Sequence, residues 1–560
     1  MPVPTGPVVP SVEPMPEEPD ARIFVTGPAG DIAVVDIGQA RETKGSARHA
    51  KSASTLGRGR ISTNAKVTAF IALVALCIRL YQLAQPGHLL GVTEYDDGVY
   101  FGAALQLVHG FLPYRSFVLV EPPGLPVLLS PFALLSHWFG SRNAFAAARI
   151  VTAVVDSANV VVLGAILRRR KTIVVIVATA FLACNASSIA TALSVAQEPY
   201  LDLFCLLGML AVFDGDRLTS SLKRWIIAGL FFGLAGSVKT WALFPFVALV
   251  LVGVPFFRRR VLPAIASAIV GFAVVCGTFI VKAPHAFERD VIAVQFGRVD
   301  VARSPLIGRI ATMTGAWLTA YPLLVYGVAI AMVMILVLAY MIHLSRRPSP
   351  LETFSLLSVG IIVIVLLIPY DFFVNYSALL GPFLALALGL AIGRIVDYPN
   401  VPERVIGVLL AIGLIIHGAN FVDTWDTRPP FDPSATISAD VPPGACVISD
   451  SVTVLILADR FNTSDASCPD IVDSYGLDLV LARGYTFAAG GSASPVVQQN
   501  WLSYFEHSDY LVFTGRADGT IPATAAILSV LHHDFVSISP TVGASYPPYS
   551  GIYARTRRSP

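Results

Sequence analysis

The sequence is poor in charge. Only 14% of its 560 residues are Asp, Glu, Lys or Arg, whereas 55% are hydrophobic. Soluble globular proteins contain about 25% charged residues, so this chain cannot cover its surface with polar side chains in water. This scarcity of charge excludes a soluble protein and predicts one whose main solvent is lipid.

Metal-binding cysteine and histidine motifs are also missing, since neither CxxC nor HExxH occurs. Among the six cysteines, four lie inside apolar runs, where Cys is usually a small buried hydrophobe: Cys77, Cys184, Cys205 and Cys276. Cys446 and Cys468 lie in the polar C-terminal region. If that region is extracytoplasmic, a disulfide between them is plausible.

Residues 1–62 have too few apolar side chains to form a core. They are rich in Pro, Gly, Ser and Ala, with a basic stretch from Arg41 to Arg60. We expect a disordered N-terminal tail.

Apolar segments of about 20 residues dominate residues 63–419. Each is able to cross a hydrocarbon core of about 30 Å. One further stretch, 118–139, contains Glu121 and four prolines, which makes a lipid-exposed helix costly there. The eleven predicted spans are 64–84, 143–167, 172–192, 199–214, 225–239, 241–257, 261–281, 314–343, 351–369, 376–396 and 403–419.

The distribution of basic residues predicts the topology. If 118–139 does not span, four basic clusters fall on the side of the basic N-terminus, as the positive-inside rule requires: Arg168–Lys171, Lys223–Arg224, Arg258–Arg260 and Arg346–Arg347. We therefore predict a multi-pass plasma (inner) membrane protein with a cytoplasmic N-terminus. Loops 85–142 and 282–312 and the tail 420–560 are then extracytoplasmic, with 118–139 juxtamembrane or re-entrant.

The tail 420–560 has the pattern of a small α/β domain. Ala445–Ser449 and Tyr510–Thr514 indicate strands, whereas Val452–Phe461 and Val496–His507 indicate helices. It contains no nucleotide-binding glycine motif. The predicted fold class is thus an all-α polytopic membrane protein with a C-terminal extracytoplasmic α/β domain.

Three carboxylates within four residues follow the first span, in Glu94-Tyr-Asp-Asp-Gly-Val-Tyr100. They repel each other and are expensive near lipid. A solvated loop with an Asp helix cap is the alternative interpretation. The stretch 109–124, rich in Pro, Gly and aromatic residues, favours a rigid functional loop instead.

Further ionisable residues are predicted at the same outer face. Glu198 between two spans is either functional or an interfacial carboxylate, and Lys239 either meets an anion or snorkels to the interface. Arg298 and Arg303 suit phosphate binding, although each is singly more typical of a solvated loop. Together these residues suit a reaction in which a carboxylate removes a hydroxyl proton while cations hold a leaving phosphate.

The run Asp96-Asp-Gly-Val-Tyr100 resembles the Asp-[Glu/Asp]-x-x-Tyr motif in the first outer loop of GT-C fold glycosyltransferases. This group includes protein O-mannosyltransferases and lipid A aminoarabinose transferases. Pro113–Phe117 and Glu121–Gly124 are most similar to its actinobacterial branch, and Glu198-Pro-Tyr-Leu resembles its second outer-loop motif. The resemblance covers about residues 64–420 and not the tail.

The resemblance implies a polyprenyl-phosphate sugar donor. It makes Asp96 the general base, Asp97 its neighbour and Glu198 the second carboxylate. Some relatives have a phosphate-binding lysine beside the Pro of the first loop; in this sequence Glu121 occupies that vicinity, and Arg115 is a candidate for the lysine's role. The full set of predicted substrate-binding residues is Tyr100, Arg115, Glu121, Lys239, Arg298 and Arg303.

The predicted function is inverting transfer of a sugar, with mannose or arabinose leading by analogy, to a hydroxyl of a cell-envelope glycan, lipoglycan or protein. The alternatives are a transporter or flippase of lipid-linked sugars and a non-catalytic scaffold with an outer binding domain. The outer carboxylates are compatible with Mg²⁺ or Mn²⁺, but no ligand spacing demands a metal. Membrane lipid is an expected partner and nucleic acid is not.

Overall fold

Helices make up most of the computed structural model of this chain. The structure describes residues 62–296, 303–315, 321–342, 346–369, 372–397, 402–426, 431–463, 465, 467–482, 494–514, 521, 524–539, 542 and 550–556. The predicted disordered tail 1–62 lies outside these ranges except for its last residue.

Six described helical segments are long and apolar enough to cross a membrane: Thr63–Leu83, Ser136–Ile166, Thr240–Lys282, Pro322–Met341, Pro350–Leu367 and Val374–Val396. The chain is therefore a multi-pass membrane protein. Further helices occupy the other predicted spans: Thr172–Ala183, Ala186–Thr191, Glu198–Val212, Leu222–Val238 and Glu403–Asp426. The total of eleven spans and the orientation stay predictions.

The predicted spans 241–257 and 261–281 are two helices that meet at a kink within the run Thr240–Lys282. A short 3₁₀ turn, Thr240–Ala242, leads into the helix Leu243–Lys282. Phe257 interrupts that helix with non-helical backbone angles (φ −143°, ψ 45°). The basic cluster Arg258–Arg260 follows this break directly, so the two predicted segments correspond to the two halves of the run.

Helix starts follow from local capping. The Ser62 hydroxyl accepts a hydrogen bond from the Ala65 N–H at 3.2 Å, which satisfies one of the free N–H groups at the start of the first helix. Ser349 and Glu352 form a capping box, because each side chain accepts from the other's backbone N–H. Such caps define where these two membrane-crossing helices begin.

The segment 118–139 contains a helix too short to cross the membrane. Gly124–Ala133 has ten residues, and at 1.5 Å per residue it reaches only about 15 Å, half of a hydrocarbon core. A Cβ on Gly124 would lie 2.4 Å from the carbonyl oxygen of Ser237. Glycine therefore lets this helix pack closely beside the chain that leads to Lys239.

Two of the predicted basic clusters lie at the same end of the helix bundle. Lys171 and Arg346 both form ion pairs with Asp397, at 2.9 and 2.8 Å. Nearby, Arg394 forms a buried pair with Glu352 at 3.0 Å. A shared carboxylate requires both clusters to be on one side, which the positive-inside pattern predicts for them.

Inside the bundle, Arg79 and Asp156 form a buried ion pair between the first and second long helices. A charge within a span is costly unless it is paired. Asp156 therefore stabilises the packing of these two helices.

The segments that the topology predicts to be outer, called outer loops below, carry short helices. They are Asp96–Val108, Gly124–Ala133, Pro284–Phe287, Val294–Phe296 and Leu306–Thr314, with a π-helix at Glu288–Ala293. A small hairpin of β1 (Phe213–Asp214) and β2 (Arg217–Leu218) connects two helices at the opposite end, where Asp214 pairs with Arg169 at 2.6 Å.

The C-terminal region contains a four-stranded sheet. The strands are β3 (Val447–Ser449), β4 (Tyr510–Thr514), β5 (Phe535–Ser539) and β6 (Ser550–Arg555), in the order β3-β4-β6-β5. β3 and β4 are parallel and the other pairs antiparallel. The accompanying helices are Ser434–Asp440, Val452–Leu457, Ser474–Leu481, Pro495–His507 and Ala525–Asp534. The predicted strand Tyr510–Thr514 is confirmed, and the predicted helix after β3 ends four residues early, at Leu457.

The C-terminal region packs directly on the first outer loop. A Cβ on Gly98 would lie 2.1 Å from the Thr453 hydroxyl oxygen, so the two helices touch through the glycine backbone. Asp459 accepts hydrogen bonds from the Ser141 hydroxyl (2.9 Å) and the Arg142 N–H (3.1 Å) at the start of the second long helix. These contacts place the tail over the outer loop that carries the clustered carboxylates.

Candidate active site

A cavity of about 320 Å³ lies where the first outer loop meets the helix bundle and the C-terminal region. This volume falls within the range of about 300–1,000 Å³ typical of small-ligand sites. Residues from five separate stretches of the chain line it: Thr93, Glu94, Tyr95, Asp96, Val99, Tyr100, Leu119, Val120, Glu121, Lys239, Phe373, Asn375, Tyr376, Asp473 and Tyr475.

The clustered aspartates occupy the first turn of the helix Asp96–Val108, where the helix dipole stabilises negative charge. The neighbouring aspartates face different surroundings. Asp96 borders the cavity. Asp97 is fully buried behind it and forms an ion pair with Arg149 at 2.5 Å.

Arg149 holds the loop that precedes this helix. It donates hydrogen bonds to the backbone carbonyl oxygens of Leu89 (2.8 Å) and Gly91 (2.9 Å) and to the Thr93 hydroxyl (3.1 Å). Thr93 in turn donates to Asp97 at 2.9 Å. Asp97 therefore has a supporting role, because its carboxylate binds Arg149 and Thr93, which hold the loop in place, and it does not line the cavity.

Lys239 lies at the break between the helix Leu222–Val238 and the run that begins at Thr240. Its ammonium donates to Glu198 Oε1 at 2.8 Å, and both side chains are buried. The ammonium also lies 4.6 Å from the Tyr376 ring and 5.4 Å from the Trp241 ring, within cation–π range. An ammonium has three N–H donors, so Lys239 can bind an anion in the cavity while it stays paired with Glu198.

Glu198 begins the helix Glu198–Val212. Its second carboxylate oxygen, Oε2, is buried and has no hydrogen-bond partner among the described residues. Two residues further along the same helix, the Tyr200 hydroxyl lies 3.1 Å from the Thr152 hydroxyl, within hydrogen-bond distance. Because Glu198 is buried and accepts from the Lys239 ammonium, it lies behind Lys239 and fixes the position of the ammonium charge.

Glu94 brings a third carboxylate to the cavity and accepts a hydrogen bond from the Ser194 hydroxyl at 3.2 Å. Desolvation, together with the negative charges of Asp96, Asp97 and Glu198, raises the pKa of Glu94 to about 8. Burial and the nearby carboxylates likewise raise the pKa of the Tyr100 phenol well above its ordinary value. At neutral pH the cavity therefore presents a protonated Glu94 and a neutral Tyr100.

The tail closes one wall of the cavity. The Tyr95 hydroxyl donates to Asp473 Oδ1 at 3.1 Å, lies 2.9 Å from the Ser474 hydroxyl, and accepts from the Tyr475 N–H at 2.9 Å. Asp473 Oδ1 also accepts from the Gly476 N–H at 2.7 Å. The Tyr95 hydroxyl thus binds residues 473–475 to the first outer loop.

The predicted site residues do not all lie together. Asp96, Tyr100, Glu121 and Lys239 line the cavity, and Asp97 and Glu198 lie behind it. Arg115 borders a second cavity instead. Arg303 is exposed, and Arg298 lies outside the described residues.

Sequence reasoning missed several cavity residues. Glu94 belongs to the same acidic motif as Asp96 and was recognisable from it. Asn375 and Tyr376 lie at the start of the predicted span 376–396. Asp473 and Tyr475 had no sequence signal, because only the folding of the tail onto the first loop brings them to the cavity.

Cys446 and Cys468 form a disulfide in the structure. It links the residue before β3 to the segment that leads to Asp470 and Asp473. Within the described ranges, no group of three or more His, Cys, Asp or Glu side chains is arranged to hold a metal ion. We therefore assign no step to Mg²⁺ or Mn²⁺.

The overall structure is similar to known membrane glycosyltransferases. ArnT from Cupriavidus metallidurans bound to undecaprenyl phosphate matches with a TM-score of 0.56 at 12% identity, over 89% of this chain and 99% of that one. The archaeal oligosaccharyltransferase AglB from Archaeoglobus fulgidus, in complex with an inhibitory peptide and a dolichol-phosphate, matches with a TM-score of 0.50 at 13% identity. That match covers 89% of this chain and 75% of the other.

These likenesses show the fold, which is the GT-C fold, and confirm the resemblance found in the sequence motifs. Residues 120–369 also match the sequence profile of Glycosyltransferase family 87. No curated protein sequence matches the chain. The family match and the fold together support a membrane glycosyltransferase of the GT-C type.

Proposed function

We propose that this protein transfers a sugar, mannose or arabinose, from a polyprenyl-phosphate donor to a hydroxyl of a cell-envelope glycan, lipoglycan or protein. The observation that carries the proposal is the shared cavity of Asp96 and Lys239. A carboxylate and a buried ammonium on one cavity are the two groups that such a transfer needs.

Lys239 is the proposed contact of the donor phosphate. The ammonium is buried and held by Glu198, so it needs no reorganisation when an anion arrives. The undecaprenyl phosphate bound to ArnT, which shares the fold, is consistent with a lipid phosphate as the anion. The donor's prenyl chain then extends into the membrane and its sugar occupies the cavity.

Asp96 is the proposed general base. The acceptor oxygen forms a bond to the anomeric carbon while the bond from that carbon to the phosphate oxygen breaks, with inversion. The acceptor proton moves to the Asp96 carboxylate, and polyprenyl phosphate leaves with its charge facing Lys239. Asp97 and Glu198 act by positioning, because they hold the Asp96 loop and Lys239 respectively.

A lipid donor agrees with the predicted topology. Under that topology the cavity opens on the extracytoplasmic side, where nucleotide sugars are absent. The plasma membrane location, the cytoplasmic N-terminus and the outer tail 420–560 are parts of the same proposal. In a nanodisc both faces of the bilayer are accessible. A labelled-substrate assay on the intact protein in nanodiscs therefore tests the chemistry without depending on the orientation of the protein.

The test uses purified protein with radiolabelled polyprenyl-phosphate mannose or arabinose and a mixed envelope-glycan acceptor. We expect label to enter the acceptor with wild type and to drop by at least about 100-fold with Asp96→Asn. Equal transfer by Asp96→Asn would overturn the assigned base. In sealed vesicles, movement of a donor across the bilayer without its consumption would establish the transporter alternative instead.

A further inference from the structure

A second cavity, of about 340 Å³, lies between the first outer loop and the C-terminal region. The loop contributes one wall with Tyr114–Val118, and the tail contributes the other with Pro469–Asp473, Leu477 and Tyr504. Asp473 lines both this cavity and the one that contains Asp96. The two cavities are therefore neighbours that share a wall residue.

Polar groups of both signs border the second cavity. Arg115 and Ser116 are exposed on the loop side. On the tail side, Asp470 accepts a hydrogen bond from the Gln106 side chain at 3.1 Å, and Tyr504 adds a half-buried ring. One arginine beside two aspartates does not suit a phosphate. Hydrogen-bond donors and acceptors beside an aromatic ring suit a neutral ligand with many hydroxyl groups.

The shared wall is fixed in place. Asp473 Oδ1 accepts from both the Tyr95 hydroxyl and the Gly476 N–H, so its carboxylate stays at the junction of the cavities. None of the described lining residues belongs to β3–β6. The cavity consequently offers no strand of that sheet for an extended peptide to pair with.

We propose that the second cavity binds the non-reacting sugar units of an oligosaccharide acceptor, whose terminal hydroxyl reaches Asp96 in the first cavity. This inference rests on the proposed function and narrows its acceptor to a glycan of several units. It also gives Arg115 a role different from phosphate binding, since Arg115 lies with the acceptor chain and not with Lys239.

A binding experiment without donor tests the inference. Wild type in nanodiscs is titrated by calorimetry with linear tetrasaccharides of mannose, arabinose, glucose and galactose and with their methyl glycosides. We expect at least one tetrasaccharide to bind about 10-fold more tightly than its methyl glycoside. Arg115→Ala and Tyr504→Ala should each weaken tetrasaccharide binding at least about 5-fold and leave methyl glycoside binding unchanged.

The matched control is His507→Ala, which changes an exposed residue three positions along the same helix from Tyr504 and does not touch the cavity. Arg115 is exposed, so its variant tests the subsite even if Tyr504→Ala folds poorly. Equal affinity for both ligand lengths, or unchanged tetrasaccharide affinity in both variants, would overturn the inference.

A donor assay separates this inference from the proposed function. If wild type consumes a lipid donor but uses methyl glycosides as efficiently as tetrasaccharides, the subsite is wrong while glycosyl transfer stands. If tetrasaccharides bind as expected but no lipid donor is consumed, the glycan subsite stands and the transfer function is wrong.

Discussion

Tyr95 and Asp473 are 378 positions apart in the chain, yet the Tyr95 hydroxyl donates a 3.1 Å hydrogen bond to the Asp473 carboxylate. The same hydroxyl contacts Ser474 and the Tyr475 N–H. One phenol on the first outer loop thus binds a whole segment of the tail. The wall between the two cavities depends on this contact.

We expect Tyr95→Phe to loosen that wall. Loss of the hydroxyl leaves a buried carboxylate oxygen and an N–H with one partner fewer, at a cost of about 1–3 kcal/mol. Transfer from a lipid donor should fall several-fold, mainly through a higher acceptor KM. Thermal unfolding and steady-state kinetics measure both effects. Tyr553→Phe is the control, because its hydroxyl makes only a 3.5 Å contact with a carbonyl oxygen; an equal effect there would show that the Tyr95 network is unimportant.

The two adjacent aspartates should respond in opposite ways. Asp96→Asn removes the proposed base and should lower the transfer rate at least about 100-fold while the unfolding temperature stays near wild type. Asp97→Asn removes the partner of the buried Arg149 and should cost about 3–5 kcal/mol of stability. Circular-dichroism melts and a transfer assay on folded protein distinguish them. A stable, inactive Asp97→Asn would reverse the two assignments.

The Lys239–Glu198 pair permits a test that separates folding from binding. Lys239→Met leaves the buried Glu198 carboxylate unpaired and should destabilise the protein by about 3–5 kcal/mol. Adding Glu198→Gln removes the uncompensated charge and should recover most of that stability. The double variant should nevertheless bind polyprenyl phosphate at least about 10-fold more weakly than wild type. Wild-type affinity in the double variant would exclude Lys239 as the phosphate contact.

Glu94 should make stability depend on pH. Its pKa is about 8 in the folded protein against an ordinary value of 4.5, so between these values the folded state holds a proton that the unfolded chain has released. Folding stability from this residue is therefore greatest below about pH 4.5 and falls as the pH rises toward 8. Glu94→Gln should match wild type near pH 5 and be more stable at pH 9, measured by thermal unfolding. Parallel pH profiles for the two proteins would contradict the shifted pKa.

Much of the membrane part was predictable because its causes are local. A helix in lipid satisfies its own backbone hydrogen bonds, so apolar runs such as 64–84 and 351–369 indicate helices directly, and Thr63–Leu83 and Pro350–Leu367 confirm them. The prolines of 118–139 predicted a segment that does not cross; the helix found there, Gly124–Ala133, has only ten residues, and its place relative to the membrane stays a prediction. The boundary between 241–257 and 261–281 was predictable too, because the basic cluster Arg258–Arg260 separates the two apolar runs, and the structure has its helix break at Phe257.

The candidate site was only partly predictable, because it depends on contacts between residues that are distant in the chain. The acidic motif at Asp96 was visible, since clustered charges beside lipid need an explanation. Nothing in the sequence distinguished Asp96 from Asp97, because the difference lies in the partner Arg149, 52 residues further along. The position of Arg115 in the second cavity likewise depends on where the tail packs.

The sequence by itself determined that this chain is a membrane protein, where its apolar helices lie and which loop carries the acidic motif, since hydropathy and charge act through neighbouring residues. Only the tertiary structure decided which carboxylate faces the cavity, that Lys239 pairs with Glu198, and that Asp473 joins two cavities. These are contacts between residues distant in the chain, and packing and burial select them after the local elements have formed.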